Sequence, residues 1–269
     1  MNKIQLQGIL YDEKSSFLRG PAKAPPLIRD AHQSDAFNFF AEDGSEISRD
    51  IILDKGDFNI DQYNDIEDIS YSNLKQNIPL ITLGGDHSIT YPILKAFHKK
   101  YGSLEILHID AHADLYDSLD GDKYSHACPF ARIMEDKLAS RLVQVGVRTL
   151  SSHQREQAER FNVEIIEMRD YTPEKLPRFK GPLYLSLDLD ALDPAFAPGL
   201  SHHEPGGFTT REVIEIIQNI QAPLVGADLV EYNPDRDRDG VTAVVCAKFL
   251  KEIAAKMLHT SLKRTNQDA

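Results

Sequence analysis

Seven short apolar runs punctuate the chain: IQLQGIL (4–10), IPLITL (78–83), SLEILHI (103–109), RLVQVGV (141–147), VEIIEM (163–168), PLYLSL (182–187) and APLVGADLV (222–230). Each has the length of a strand, and nearly uninterrupted apolar runs of this kind fill parallel sheets covered on both faces. Between them lie stretches that predict helices: TYPILKAFHKKY after residue 89, HQREQAERF after 152, TTREVIEIIQNI after 208 and TAVVCAKFLKEIAAKML over 242–258. In the last of these Val245, Phe249, Ile253 and Met257 fall four apart and give one apolar face. Alternating strands and helices predict an α/β fold, a mostly parallel sheet with helices on both sides. No linker, composition break or internal repeat divides it, so residues 1–269 read as a single domain. The proline-punctuated GPAKAPPLIRDA (20–31) reads as the approach to a helix, AHQSDAFNFFAEDGSEISRD (31–50) as an irregular surface excursion, and LKRTNQDA (262–269) as a fraying end.

Three of the apolar runs stop abruptly in ionisable residues. IPLITL is followed by GGDHS, SLEILHI by DAHAD, and PLY by LSLDLDALDP, where Asp188 and Asp190 share one face and Asp193 precedes Pro194. Aspartate is disfavoured in strands, so two on one face of an apolar strand need a local reason. Ligands of open parallel sheets bind outside the carboxyl ends of the strands. If these strands are neighbours, His87, Asp110, His112, Asp114, Asp188 and Asp190 converge. Carboxylates crowded in this way repel one another unless a cation sits among them. Two imidazoles and four carboxylates without a thiolate suit Mn²⁺ better than structural zinc. Taken alone, DAHAD also fits a polar loop with helix-capping aspartates. A fourth strand, LVGADLV, runs into EYNP, so Glu231 would add a carboxylate at the same edge, there to grip a planar cation or to close a loop salt bridge.

Composition narrows the classes. A chain of 269 residues with 41% apolar and 27% charged residues is that of a globular protein with a sizeable core. Its formal net charge of −12 argues against a nucleic-acid-binding surface and is compatible with a cationic substrate. No run is long enough to span a membrane, no apolar leader opens the chain, and Cys128 and Cys246 are too few for a disulfide framework. A cytoplasmic location is the resulting expectation, with both cysteines as small core residues and His108 as a hydrogen-bonded core histidine.

Taken in order, GGDHS, DAHAD, SLDLDALDPAFAPG and EPGG resemble the ureohydrolases, the binuclear manganese enzymes that include arginases and agmatinases. Within that family DLYDSLDGDKYSHACPFARIME (114–135), APGLSHHEPGGFT (197–209) and VGADLVEYNPDRDRDGVTAVVCAKFLKE (225–252) are similar to the plant-type arginase branch. The resemblance implies a three-layer α/β/α fold with a central sheet of about eight strands, assembled as homotrimers or homohexamers. It implies two Mn²⁺ per chain, one held by His87, Asp110, Asp114 and Asp188, the other by His112, Asp110, Asp188 and Asp190. It further implies that Glu231 binds the guanidinium, that His126 shuttles a proton, and that Asp190 steadies the tetrahedral intermediate. Without the resemblance, His126 is simply a loop histidine. L-arginine is the favoured substrate, giving L-ornithine and urea. Agmatine or another guanidino acid is the alternative, because Tyr116 stands where animal-type arginases carry a carboxylate-binding asparagine. Ser118, Lys123 and Ser125 are further candidates for a substrate carboxylate, and His202 and His203 are candidates for the mouth of the site. A one-ion deacetylase and a noncatalytic scaffold are the remaining alternatives.

Overall fold

The computed structural model describes residues 3–265. Its strands are β1 (Ile4–Leu10), β2 (Ile52–Asn59), β3 (Leu80–Leu83), β4 (Leu104–Ile109), β5 (Ala139–Val147), β6 (Glu164–Glu167), β7 (Leu183–Asp188) and β8 (Leu224–Val230). All eight join one sheet in the order β2-β1-β3-β8-β7-β4-β5-β6, with every pairing parallel. The helices are α1 (Ala24–Gln33), α2 (Asp65–Leu74), α3 (Thr90–Tyr101), α4 (Pro129–Glu135), α5 (Ser152–Phe161), α6 (Thr210–Asn219) and α7 (Val241–Thr265).

The helices cover the two faces separately. α1, α6 and α7 bury Ile28, Val213, Ile217, Phe249, Ile253 and Met257 on one side, and α2 to α5 bury Ile66, Ile93, Phe97, Phe130, Ile133 and Ala158 on the other. Phe249, Ile253 and Met257 of the expected apolar stripe are fully buried, whereas Val245 at its start is half-buried. Cys128 and Cys246 are buried free thiols, as expected of small core residues.

Three expectations are corrected. The segment 20–31 is mostly the helix itself: Pro25 and Pro26 occupy the first turn of α1, where a missing N–H costs no intrahelical bond. Residues 34–50 are irregular but are no mere surface excursion, because Ala41 and Ile47 are buried in the core and Lys251 of α7 donates to the Asn38 carbonyl at 2.9 Å. At the other end α7 continues through Thr265, and only the last four residues of the expected fraying tail lie outside the described residues.

Register sets the stage for the chemistry. Leu83 of β3 pairs with Leu229 of β8, Leu229 with Leu187 of β7, and Leu187 with Ile109 of β4. Four adjacent strands therefore end at one level, and the residues that follow them share one edge of the sheet. The Gly84–Gly85 turn leaves β3 under tight backbone contact. A Cβ on Gly85 would stand 1.7 Å from the Tyr11 carbonyl oxygen, a main-chain atom that cannot rotate away. Gly85→Ala is expected to destabilise by about 2–3 kcal/mol through overpacking, lowering the thermal midpoint by roughly 4–12 °C; an unchanged melting curve would refute that reading.

Candidate active site

His87 follows β3 on a short 3-10 turn (His87–Ile89) and is fully buried. Its Nε2 lies 2.9 Å from Ser186 Oγ, and that hydroxyl donates to Asp228 Oδ1 at 2.7 Å. Asp228 also accepts from Thr90 Oγ1 at 2.9 Å and Tyr184 Oη at 2.7 Å. With the Ser186 proton committed to Asp228, the His87 proton must sit on Nε2, which leaves a lone pair on Nδ1. That Nδ1 has no hydrogen-bond partner. It faces Asp114 Oδ2 at 3.1 Å, Asp188 Oδ2 at 3.1 Å and Asp110 Oδ2 at 3.3 Å. A lone pair surrounded by three carboxylate oxygens is repulsive as it stands and fits a cation among the four atoms.

A second group adjoins the first. His112 Nδ1 lies 3.0 Å from Asp190 Oδ2 and 3.5 Å from Asp110 Oδ1. Asp110 thus presents one oxygen to each histidine, and Asp110, His112 and Asp190 could hold an ion together. The electrostatics of both groups agree with this. Burial disfavours the charged form of His87 and of His112, yet the surrounding carboxylates outweigh it and raise their proton affinity above that of an ordinary imidazole. Burial, with Asp190 and Asp110 beside it, pushes the Asp188 carboxyl well above the usual range. In every case the site is short of positive charge.

His108 could be counted with His87 and Asp110 as a third ligand by proximity. Its bonding makes it a core residue instead: Gln144 Nε2 donates to Nδ1 at 3.0 Å, and Nε2 then donates to Asp110 Oδ2 at 2.7 Å, so neither nitrogen keeps a free lone pair. Asp86 also turns away from the centre. It accepts from the Lys14 N–H at 3.0 Å and Ser15 Oγ at 3.2 Å, and so ties the segment after β1 to this edge.

Glu231 follows β8 in the left-handed backbone region, φ 65°, and Asp114 shares that conformation at φ 49°. Such strain in residues other than glycine persists where the surroundings impose it and is common at functional sites. Glu231 Oε1 accepts the His87 N–H at 2.9 Å and lies 2.8 Å from His126 Nδ1, while Oε2 is buried without a partner. Burial would raise the Glu231 carboxyl, but the neighbouring His126 prevails and holds it below the usual range. Burial likewise opposes protonation of His126, and the Glu231 charge overrides it, raising His126 to about 9. His126 Nε2 accepts the Ser16 N–H at 3.2 Å and is 2.8 Å from Ser16 Oγ, a hydroxyl able to give or take a proton by rotating.

His112, Asp114, Asp188 and Asp190 floor a cleft of about 390 Å³, with His126 and Glu231 beside them and walls that include Ser16, Tyr116, Thr149, Gln154, His202 and Glu204. Tyr116 is half-buried and stacks on His153, ring centroids 5.8 Å apart. Ser125 is corrected: it is buried outside the cleft wall, and its hydroxyl oxygen lies 3.4 Å from the Ala127 N–H, because the chain turns inward there. Ser118 and Lys123 likewise are not on the wall. His202 lies over the cleft with its ring 5.5 Å from that of His126, whereas His203 is exposed and bonds the Pro198 carbonyl at 2.9 Å. Several supporting residues are new. Arg148 binds main-chain oxygens, including Asp190 O at 2.8 Å and Glu204 O at 3.0 Å, and so braces two loops of the site. Only Asp228, a lone acid in an apolar strand, carried a signal in the sequence; Ser16, Arg148 and Gln154 arrive through tertiary contacts.

Fold and site together define a metal-dependent α/β hydrolase with a histidine–aspartate floor at the carboxyl edge of a parallel sheet. The model of the arginase family matches residues 2–255, and the chain belongs to that family. It is 45% identical to arginase 1, mitochondrial, of Arabidopsis thaliana over 94% of this chain and 80% of that protein. The solved arginase of Medicago truncatula superposes with a TM-score of 0.88 at 41% identity, over 95% of this chain and 87% of that one. The agmatine ureohydrolase of Thermoplasma volcanium follows at TM-score 0.86 and 28% identity, over 97% and 92% of the two chains. The cytoplasmic expectation is corrected by plant relatives: arginases of Arabidopsis thaliana, Oryza sativa and Medicago truncatula are named mitochondrial or chloroplastic and point to an organelle. Charge and cysteine content describe the folded enzyme and carry no organelle address. Among the described residues no helix is long and apolar enough to cross a membrane.

Proposed function

We propose that this protein hydrolyses L-arginine to L-ornithine and urea, as a single ureohydrolase domain using two Mn²⁺ ions. The observation that carries this reading is Glu231, a cleft-lining carboxylate held ionised, whose Oε2 is buried without a partner beside residues able to hold cations. Guanidinium has donors only, and a carboxylate matches it with paired hydrogen bonds. The names of the plant relatives favour arginine over agmatine.

His87, Asp110, Asp114 and Asp188 would hold one ion, and His112, Asp110, Asp188 and Asp190 the other. The oxygen and imidazole donor set suits manganese. When bound, the ions supply an activated water and offset the charge of four aspartates. Glu231 then orients the guanidinium, fixing its carbon against the attacking oxygen. Asp190 accepts a hydrogen bond from the attacking water. The departing amine must leave protonated, and His126, held at Nδ1 by Glu231 and facing Ser16 at Nε2, is placed to deliver that proton. Tyr116 contributes to the wall around the substrate tail.

The agmatinase reading keeps a specific observation in its favour, since among the described residues no Lys or Arg lines the cleft to meet a carboxylate. The deacetylase reading lacks one, because a single-ion site has no use for the His112–Asp110–Asp190 group. The test is urea release by the Mn²⁺-loaded protein with L-arginine and agmatine side by side, with bound metal and molar mass measured on the same preparation. A tenfold arginine preference, two Mn per chain and a trimer or hexamer are the expected results. Urea from neither substrate would overturn the proposal.

A further inference from the structure

Gln154 sits in the first turn of α5 and is 3% exposed, yet it forms part of the cleft wall. Its Oε1 accepts the Ser151 N–H at 3.1 Å and lies 3.3 Å from Ser151 Oγ. A main-chain N–H can only donate, so this bond decides which end of the carboxamide is oxygen and turns the NH₂ the other way. That NH₂ meets no acceptor among the described residues. The nitrogen is nevertheless not sealed off, so its two donors are open to whatever fills the cleft that Gln154 lines.

The neighbouring groups divide by hydrogen-bond sense. Thr149 spends its proton on the Ala111 carbonyl at 3.2 Å and so offers the cleft lone pairs alone, and Glu204 offers a carboxylate. Tyr116 adds a phenolic O–H to the same wall. One set of donors and one set of acceptors, beyond a floor that takes a guanidinium, match a carboxylate and an ammonium on the same tail. Neutral donors would then do what no Lys or Arg of this cleft is present to do.

We infer that Gln154 is a specificity-determining residue whose NH₂ binds the α-carboxylate of an amino-acid substrate, with Thr149 and Glu204 accepting from its α-ammonium. The inference rests on the guanidino-hydrolase reading above and narrows its substrate to a zwitterionic guanidino acid. An analogue lacking the carboxylate leaves the Gln154 donors unpaired, and a site built around a hydrogen bond discriminates strongly against such an analogue.

Gln154→Glu tests this without removing the helix cap, because a glutamate at this position still accepts the Ser151 N–H as in the usual capping box. The substitution replaces the cleft-facing donor by a second anionic oxygen. Steady-state urea release is measured for L-arginine and agmatine, and binding of L-ornithine and putrescine is measured by calorimetry. The ratio of kcat/KM for arginine to that for agmatine is expected to fall at least tenfold, mainly through KM for arginine, and L-ornithine affinity is expected to fall more than putrescine affinity. Gln154→Met, which removes the donor without adding charge, should move the ratio the same way and serves if the glutamate variant does not fold. Equal losses for both substrates, as a purely structural role would give, or an unmoved ratio, would overturn the inference. A wild-type preference for agmatine would also overturn it while leaving guanidino hydrolysis standing. No urea from any guanidino compound would bring down the hydrolase reading and the inference together.

Discussion

Asp110→Asn is expected to lower kcat/KM for urea release by at least about 10³, roughly 4 kcal/mol of transition-state stabilisation, and to reduce bound metal at both sites. The size follows from the double use of each oxygen. Oδ2 accepts from His108 at 2.7 Å and also faces His87 Nδ1, while Oδ1 accepts the His112 N–H at 2.6 Å and faces His112 Nδ1. Asparagine has nearly the same shape, but one of its two positions becomes an NH₂ that must point at a donor. One negative charge is also lost from the centre both groups share. Elemental analysis after dialysis against limiting Mn²⁺, together with a urea assay, reads both effects. Full metal content with retained turnover would show that Asp110 is not the shared ligand.

Glu231→Gln should be nearly as damaging by a different route. A fall in kcat/KM of roughly 10³-fold is expected, with metal content intact because Glu231 lies above the floor and touches His87 only through its main-chain N–H. The glutamine oxygen can keep the bonds to His87 and His126, which puts an NH₂ where the unpartnered Oε2 now lies. That donor opposes a guanidinium, which has no acceptor. A second readout separates this from simple loss of fold. Glu231 is what raises His126 to about 9, so without that charge His126 loses its proton at lower pH. If protonated His126 is the donor to the leaving amine, activity that falls as pH rises through its pKa should begin to fall earlier in the variant. An unshifted alkaline limb would detach His126 from the proton transfer, and unchanged kcat/KM would detach Glu231 from the substrate.

Much of this site is legible in the sequence because the signal is local. Apolar strands ending in HID, LDLD and GGDH violate strand preference at adjacent positions, and a cation is a direct remedy for that violation. Elements without such a pattern escape a reading of the sequence. β2 is an edge strand carrying Asp54, Lys55 and Asp57 with Gly56 between them, and its charges, which protect an exposed edge, hide its periodicity. α2 opens with acids and has weak alternation, and α4 is only seven residues long. Ser125 is suggested as a hydroxyl for a substrate carboxylate, but residue type alone does not say which way a turn points its side chain, and Ser125 is buried away from the cleft wall.

Short-range pattern was enough for the fold class, the identity of the charged strand ends and the donor set that calls for a cation, because each depends on residues within a few positions of one another. Packing across the whole chain was needed to make β3, β8, β7 and β4 neighbours in register, which brings residues 87, 110, 188 and 231 to one edge. The same packing selects the His87 tautomer through Ser186 and Asp228, leaves one oxygen of Glu231 unpartnered and fixes the amide of Gln154. The reason is physical: a pattern of side chains specifies which surfaces must be buried, whereas the direction of a lone pair or an N–H depends on which distant group packing has placed beside it.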